Sequence, residues 1–141
     1  MTTLRFRRLA AGLALAAIGS MGTGCLGAAT VAGAGYLVAR ELGPDRSQRA
    51  LVREELEEVW FVAELLMDER AEASVDVLES PRRLVGRIDG ATVEVTVERV
   101  GPEQTSVSIL AQRVLARADA ELAGDLLDAL LARLAERNPG R

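Results

Sequence analysis

Strict alternation dominates the middle of the chain. From Ala91 to Val100, Val93, Val95 and Val97 alternate with Thr92, Glu94, Thr96 and Glu98, the period-two pattern of a strand with one buried and one wet face. Thr105 to Val114 repeats it, with Val107 and Ile109 expected inward and Ser106 and Ser108 outward. Two shorter candidates come first: Ala73 to Leu78, carrying Val75 and Val77, and Leu84 to Ile88, with Leu84, Gly86 and Ile88 on one side. Turn chemistry separates the four. Glu79-Ser80-Pro81 breaks the first from the second, and Gly101-Pro102-Glu103-Gln104 breaks the third from the fourth. Between them Asp89-Gly90 is a strong hairpin signal, because both residues tolerate positive φ.

On either side the period changes to that of a helix. Leu56, Val59, Trp60, Ala63, Leu66 and Met67 recur on one face, and Phe61, Val62 and Leu65 widen it, so this helix is expected to be largely covered. Asp45 with Gln48 three residues on reads as a capping box, which puts the helix start near Arg46 and its end near Arg70. The acidic run Glu54, Glu55, Glu57 and Glu58 suits a water-facing N-terminal half. It is a poor cation site, since four carboxylates in five residues point round the helix instead of converging. At the other end Asp119 is the expected N-cap of a helix whose stripe of Leu122, Leu126, Leu127, Leu130, Leu131 and Leu134 stops at Asn138-Pro139-Gly140. The expected fold is α+β: a single small domain over 45–138, an antiparallel meander of four or five strands with two helices on one face. The expected order is helix, four strands, helix. Residues 139–141 are expected to be a tail.

The first 24 residues follow neither period. Met1 to Arg8 is a basic head with Arg5, Arg7 and Arg8, and Leu9 to Ile18 is an apolar run too short to span a bilayer. Small residues lead from there into Cys25, the only cysteine. This order resembles the bacterial lipoprotein signal, in which the cysteine takes a diacylglyceryl group and the chain is cut just before it. Gly24 and Thr23 suit the small positions before the cut, while Gly22 stands where the signal usually carries leucine. The resemblance implies that Cys25 becomes a lipidated N-terminus. An uncleaved membrane helix competes, because no charge falls from Leu9 through Ala39. The glycines scattered through that run weigh against it, at about 1 kcal/mol each relative to alanine. Residues 25–44 then read as the lipidated N-terminus and a Gly/Ala-rich tether, with Tyr36 suited to a membrane interface and Gly43-Pro44 as its boundary.

Composition narrows the function. All 17 basic residues are arginine and there is no histidine, so the commonest general base, the commonest zinc ligand and the Schiff-base lysine are all missing. With three arginines before Cys25, the remainder holds 14 basic against 21 acidic residues, a net −7. That sign disfavours nucleic acid and anionic lipid surfaces. A catalytic reading would have to use Ser106, Ser108 or Thr96 with Asp89, Glu94 and Glu98 as acid-base carboxylates, residues that are ordinary on a wet strand face. No cofactor or metal is expected.

The segments Gly24-Cys25-Leu26-Gly27-Ala28-Ala29, Gly33-Ala34-Gly35-Tyr36, Leu56-Glu57-Glu58-Val59-Trp60, Leu84-Val85-Gly86-Arg87-Ile88 and Val93-Glu94-Val95-Thr96-Val97 together resemble a bacterial lipoprotein family, domain of unknown function 3568. The resemblance implies export, lipidation and a small α+β domain, and it supplies no catalytic residue. It also implies a short strand at Arg49-Ala50-Leu51-Val52-Arg53, where the capping signal at Asp45 implies helix. The reading that follows is a non-catalytic, periplasm-facing domain anchored by acyl chains on Cys25. The outer membrane is favoured because Leu26, and not aspartate, follows the cysteine. Its expected partner is an envelope protein, with Arg82 and Arg83, in a turn between strands, as contact candidates. A carrier holding a lipid or other apolar ligand between sheet and helices is the alternative.

Overall fold

The computed structural model describes residues 37–139. The signal segment, Cys25 and the chain up to residue 36 lie outside them. Seven strands and two helices follow one another as β1 (Leu37–Leu42), β2 (Gln48–Val52), α1 (Leu56–Arg70), β3 (Asp76–Glu79), β4 (Arg82–Ile88), β5 (Ala91–Gly101), β6 (Gln104–Arg113), β7 (Arg117–Ala118) and α2 (Ala120–Arg137). The sheet is antiparallel throughout, in the order β1-β2-β6-β5-β4-β3. The two-residue β7 continues the line of β2 along β6. The α+β class and the single domain are as expected, but the strands number six to seven, and two of them precede the first helix.

That correction has a local cause. Asp45 does not cap a helix. Its carboxylate accepts from the Ser47 backbone N–H at 3.1 Å and from the Ser47 hydroxyl at 2.6 Å, closing a turn in which Arg46 takes a φ of +64°. A carboxylate two residues before its donor makes such a turn as readily as it caps a helix. The Gly43 N–H donates to the Ser47 carbonyl at 2.7 Å, so Gly43-Pro44 lies inside a hairpin. Leu37–Leu42, read above as tether, pairs with β2 as an edge strand. Gln48, the expected partner in the capping box, instead donates its side-chain amide to the Ala120 carbonyl at the start of α2. Ala50 and Val52 are buried in β2, so Arg49–Arg53 is strand for all but its last residue, as the family resemblance implies.

From β4 onward the alternation holds. Leu84, Ile88, Val93, Val95, Val97, Val107, Ile109 and Ala111 are all buried on one face. Asp89 and Gly90 turn the chain with φ of +49° and +74°, the two positive values a tight two-residue hairpin needs. Gly86, opposite Val93, lies under α1: a Cβ built there would stand 3.1 Å from the Met67 terminal methyl. The weakest strand is β3. It begins at Asp76, three residues later than expected, and Val77 is half exposed while Val75 packs against the core from the preceding loop.

Both helices cover the same face. α1 packs on β4, β5 and β6, α2 packs on β2 and β6, and the helices touch each other. α1 buries Val59, Trp60, Val62, Ala63, Leu66 and Met67, but Phe61 and Leu65 are 47% and 42% exposed. The helix is thus less covered than the width of its apolar stripe suggests, because the sheet and α2 reach only two of its sides. It starts at Leu56, with Glu55 at the N-cap position making no side-chain cap. Of the acidic run, Glu54 precedes the helix and is buried, while Glu57 and Glu58 occupy the first turn, where the helix dipole favours them. Asp119 caps α2 as expected, accepting from the Leu122 N–H at 3.1 Å.

Leu127 is fully buried in the seam between α2 and the sheet. Leu127→Ala is expected to lower the unfolding free energy by about 2–5 kcal/mol through lost burial and the cavity left behind. Leu65→Ala, on the exposed side of α1, is expected to cost about 0.5 kcal/mol or less. Urea titration of the two variants measures the difference.

Candidate functional site

Packing both helices on one face leaves the other open, and the sequence has filled it with polar side chains. Strand register places them in rows. Arg49 of β2, Ser108 of β6, Thr96 of β5 and Arg83 of β4 lie side by side across four strands. The next row holds Leu51, Ser106 and Glu98, and the row on the other side pairs Leu110 with Glu94 and Glu94 with Val85. Around the central row the surface forms a concavity of about 260 Å³, lined by the hydroxyls of Thr96, Ser106 and Ser108, by Glu94, Glu98 and Arg49, and by Asp45 from the β1–β2 turn. The Ser47 hydroxyl and N–H hold the Asp45 carboxyl below its ordinary value, against a smaller opposing effect of burial.

This face gathers most of the residues the catalytic reading needs around one concavity. Glu94 and Glu98 flank Thr96 on one strand face, and four residues of strand put them about 13 Å apart. Asp89 is elsewhere, in the β4–β5 turn, where its carbonyl accepts from Arg113 at 2.9 Å.

Arg82 and Arg83 do not sit in a turn. The turn is Ser80-Pro81, and both arginines belong to β4. Arg82 makes a two-pronged contact with the Glu57 carboxylate at 2.8 and 2.7 Å and stacks over Trp60 with 5.7 Å to the ring centroid. It braces α1 against the sheet. The hydrogen bonds from Arg82 hold the Glu57 carboxyl below its ordinary value, and the arginine is correspondingly raised. Arg83 projects to the open face, with Glu94 at 3.5 Å.

Two other concavities lie at opposite ends of the domain. One, of about 490 Å³, is bordered by Glu54, Glu55, Glu58, Arg137 and Asn138. The other, of about 390 Å³, is bordered by Arg113, Asp119, Glu121 and their neighbours. All three concavities are lined mainly by polar and charged side chains. Among the described residues no group of His, Cys, Asp or Glu is placed to hold a metal ion, and no helix is long and apolar enough to cross a membrane. Cys25 and the Gly22-Thr23-Gly24 stretch before it lie outside the described residues.

One organising residue gave no signal in the sequence. Arg113, the last residue of β6, donates to the Asp119 carboxylate at 2.6 Å as well as to the Asp89 carbonyl. It thereby joins the end of the sheet, the β4–β5 turn and the cap of α2. Only the fold brings these three together.

Comparison of the chain with family models and with curated protein sequences gives no match. The likeness to the lipoprotein family of unknown function therefore rests on the residues quoted for it.

The Leu122 N–H first, and Arg113 second, hold the Asp119 carboxyl below its ordinary value of 3.8. A carboxyl with a depressed folded value contributes stability that is present above its unfolded value and lost as pH falls through the folded one. Asp119→Asn keeps a cap acceptor but loses the ion pair and the titration. It is therefore expected to be less stable than the parent at pH 6, with the gap closing below about pH 4. Urea midpoints of parent and variant at pH 6 and pH 3 test this.

Proposed function

We propose that the chain is a bacterial envelope lipoprotein, a member of the family it resembles. In this reading it is held by acyl chains on Cys25 in the outer membrane and presents a non-catalytic, protein-binding domain to the periplasm. The observation that carries the reading is the order of basic head, short apolar run, small residues Gly22, Thr23 and Gly24, and Cys25. One acyl chain binds a bilayer only marginally, whereas two or three hold a protein there almost permanently. The domain behind the anchor has an open sheet face whose concavity is lined by Asp45, Glu94 and Glu98 against Arg49, with Arg83 beside Glu94. Its charge suits a protein partner that offers arginine or lysine. The absence of histidine and lysine from the sequence supports a binding role over catalysis.

Mass spectrometry of the protein from its native host tests the anchor. The expected mature chain starts at Cys25 and carries the added mass of a diacylglyceryl group, and Cys25→Ala is expected to retain residues 1–24 and lose that mass. A mature chain that begins at Met1 with a free thiol would sink the reading. For the domain, a photo-crosslinker at Ser108 is expected to trap one envelope protein in intact cells, and Glu94→Arg with Glu98→Arg to abolish the adduct. Adducts spread over many proteins, or unaffected by the charge reversal, would argue against a specific protein-binding face.

A further inference from the structure

The end of β6 carries a feature that the proposed function does not use. Val114 and Leu115, at the apex of the turn between β6 and β7, are 82% and 95% exposed. They form part of a one-turn 3-10 segment, Val114–Ala116, in which Leu115 and Ala116 take φ of +65° and +56°. Left-handed backbone is disfavoured for a residue with a β-carbon, and here Leu115 and Ala116 adopt it in succession while Val114 and Leu115 point into solvent. The turn is held firmly from behind: Arg113 is tied to Asp119 and to the Asp89 carbonyl, and the Asp119 N–H donates to the Ala111 carbonyl at 2.8 Å. Arg117 stands exposed on the other side of the tip.

We infer that this tip is a second membrane contact, in which Val114 and Leu115 dip into the surface of a neutral, zwitterionic phospholipid bilayer with Arg117 at the headgroup level. The inference rests on the anchored reading above. A point of two aliphatic side chains is too small for a protein interface, which buries about 800 Å² per partner and relies on aromatic and arginine anchors. A bilayer requires only a protruding apolar apex, and a flanking arginine keeps its charge at the interface while its stem lies along apolar surface. Aspartate and glutamate near the tip, Asp119 and Glu121, offset the arginines, so a neutral lipid surface fits better than an anionic one.

The two ends of the domain differ in the way this requires. β1 begins at Leu37, level with Val52 and Thr105, so the chain enters at the end of the sheet opposite the tip, about 27 Å away along β6. That entering end carries charges of both signs, Glu55 and Glu58 beside Arg137, around a concavity, and among the described residues shows no exposed aliphatic apex like Val114 and Leu115. The chain between Cys25 and Leu37 can reach at most about 40 Å, which exceeds the length of the sheet. The domain can therefore bring the tip to the membrane that holds Cys25.

Full-length protein isolated with its N-terminal modification and reconstituted into phosphatidylcholine vesicles with brominated acyl chains tests this. Leu115→Trp reports the tip and Val100→Trp, at an exposed position near the β5–β6 turn, reports the opposite end, while the native Trp60 is buried and common to both. Because Leu115 touches little, its tryptophan variant is expected to keep the parental urea midpoint. The proposal expects the added fluorescence of Leu115→Trp to fall at least two-fold on bromolipid and that of Val100→Trp to be unchanged. The reverse pattern, or equal quenching, overturns it. An unquenched Leu115→Trp combined with a photo-crosslinker at Leu115 that traps one protein in cells assigns the tip to a protein and also overturns it. Failure of the parent to float with vesicles removes the anchored reading and this proposal together, whereas flotation without tip quenching removes the proposal alone.

Discussion

Every other feature of the domain depends on the one-sided sheet. The inward row of Val93, Val95 and Val97, with its neighbours on β4 and β6, is buried to the last methyl, and a sheet with one apolar face must cover that face and can leave the other wet. Two helices suffice for the cover: α1 spans the β4–β6 half and α2 the β2–β6 half. The polar concavity on the far side is a consequence of the same alternation, because Glu94, Thr96 and Glu98 are the residues between those valines. Register then decides which polar groups become neighbours, and so sets Arg49, Ser108, Thr96 and Arg83 in one row.

The elements that could be read from the sequence are those whose signals are local and unopposed. The β5 alternation, the Asp89-Gly90 turn and the leucine stripe behind Asp119 each have one conformation that satisfies them, and the structure adopts it. Asp45 is different, because a carboxylate with a serine two residues on and a glutamine three residues on can close a turn or cap a helix. The choice falls to distant partners: β2 gains a ladder with β6, and Gln48 gains the Ala120 carbonyl. β1 was hidden for a compositional reason, since it emerges from a glycine- and alanine-rich tract that carries no alternation. Phe61 and Leu65 belong to the apolar stripe of α1 yet stay exposed, because a stripe records only what a helix could bury. The open face was legible as wet, whereas its row order and the joining role of Arg113 depend on pairings between residues far apart in sequence.

The arginine-only basic set shapes how the surface is tied together. Arg82 grips Glu57 with both terminal nitrogens and lies over Trp60, and Arg137 pairs with Glu58 while stacking 4.9 Å from the Phe61 centroid. A planar guanidinium can do both at once, which an ammonium cannot. Arg40 with Asp128 and Arg133 with Glu69 add further links across elements. Exposed pairs of this kind contribute about 0–1 kcal/mol each; Arg82–Glu57 and Arg40–Asp128 join a helix to a strand, and Arg133–Glu69 and Arg137–Glu58 join the two helices. The stacked aromatic at Phe61 also accounts for part of its apolar surface without burial in the core.

The two unusual surfaces follow from opposite physical causes, and that argues for different roles. The open sheet face is polar because its residues stand where alternation puts them. The β6–β7 tip is strained and apolar, with Leu115 and Ala116 in left-handed backbone and Val114 and Leu115 exposed. A short polar turn with glycine would connect the same two strands without either cost. Strain of this sort persists only where the surroundings hold it, and Arg113, through Asp119 and Asp89, provides that hold. An aliphatic apex held exposed by Arg113 is the observation behind the proposed bilayer contact, and that contact follows only if the proposed anchor at Cys25 brings the domain to a membrane.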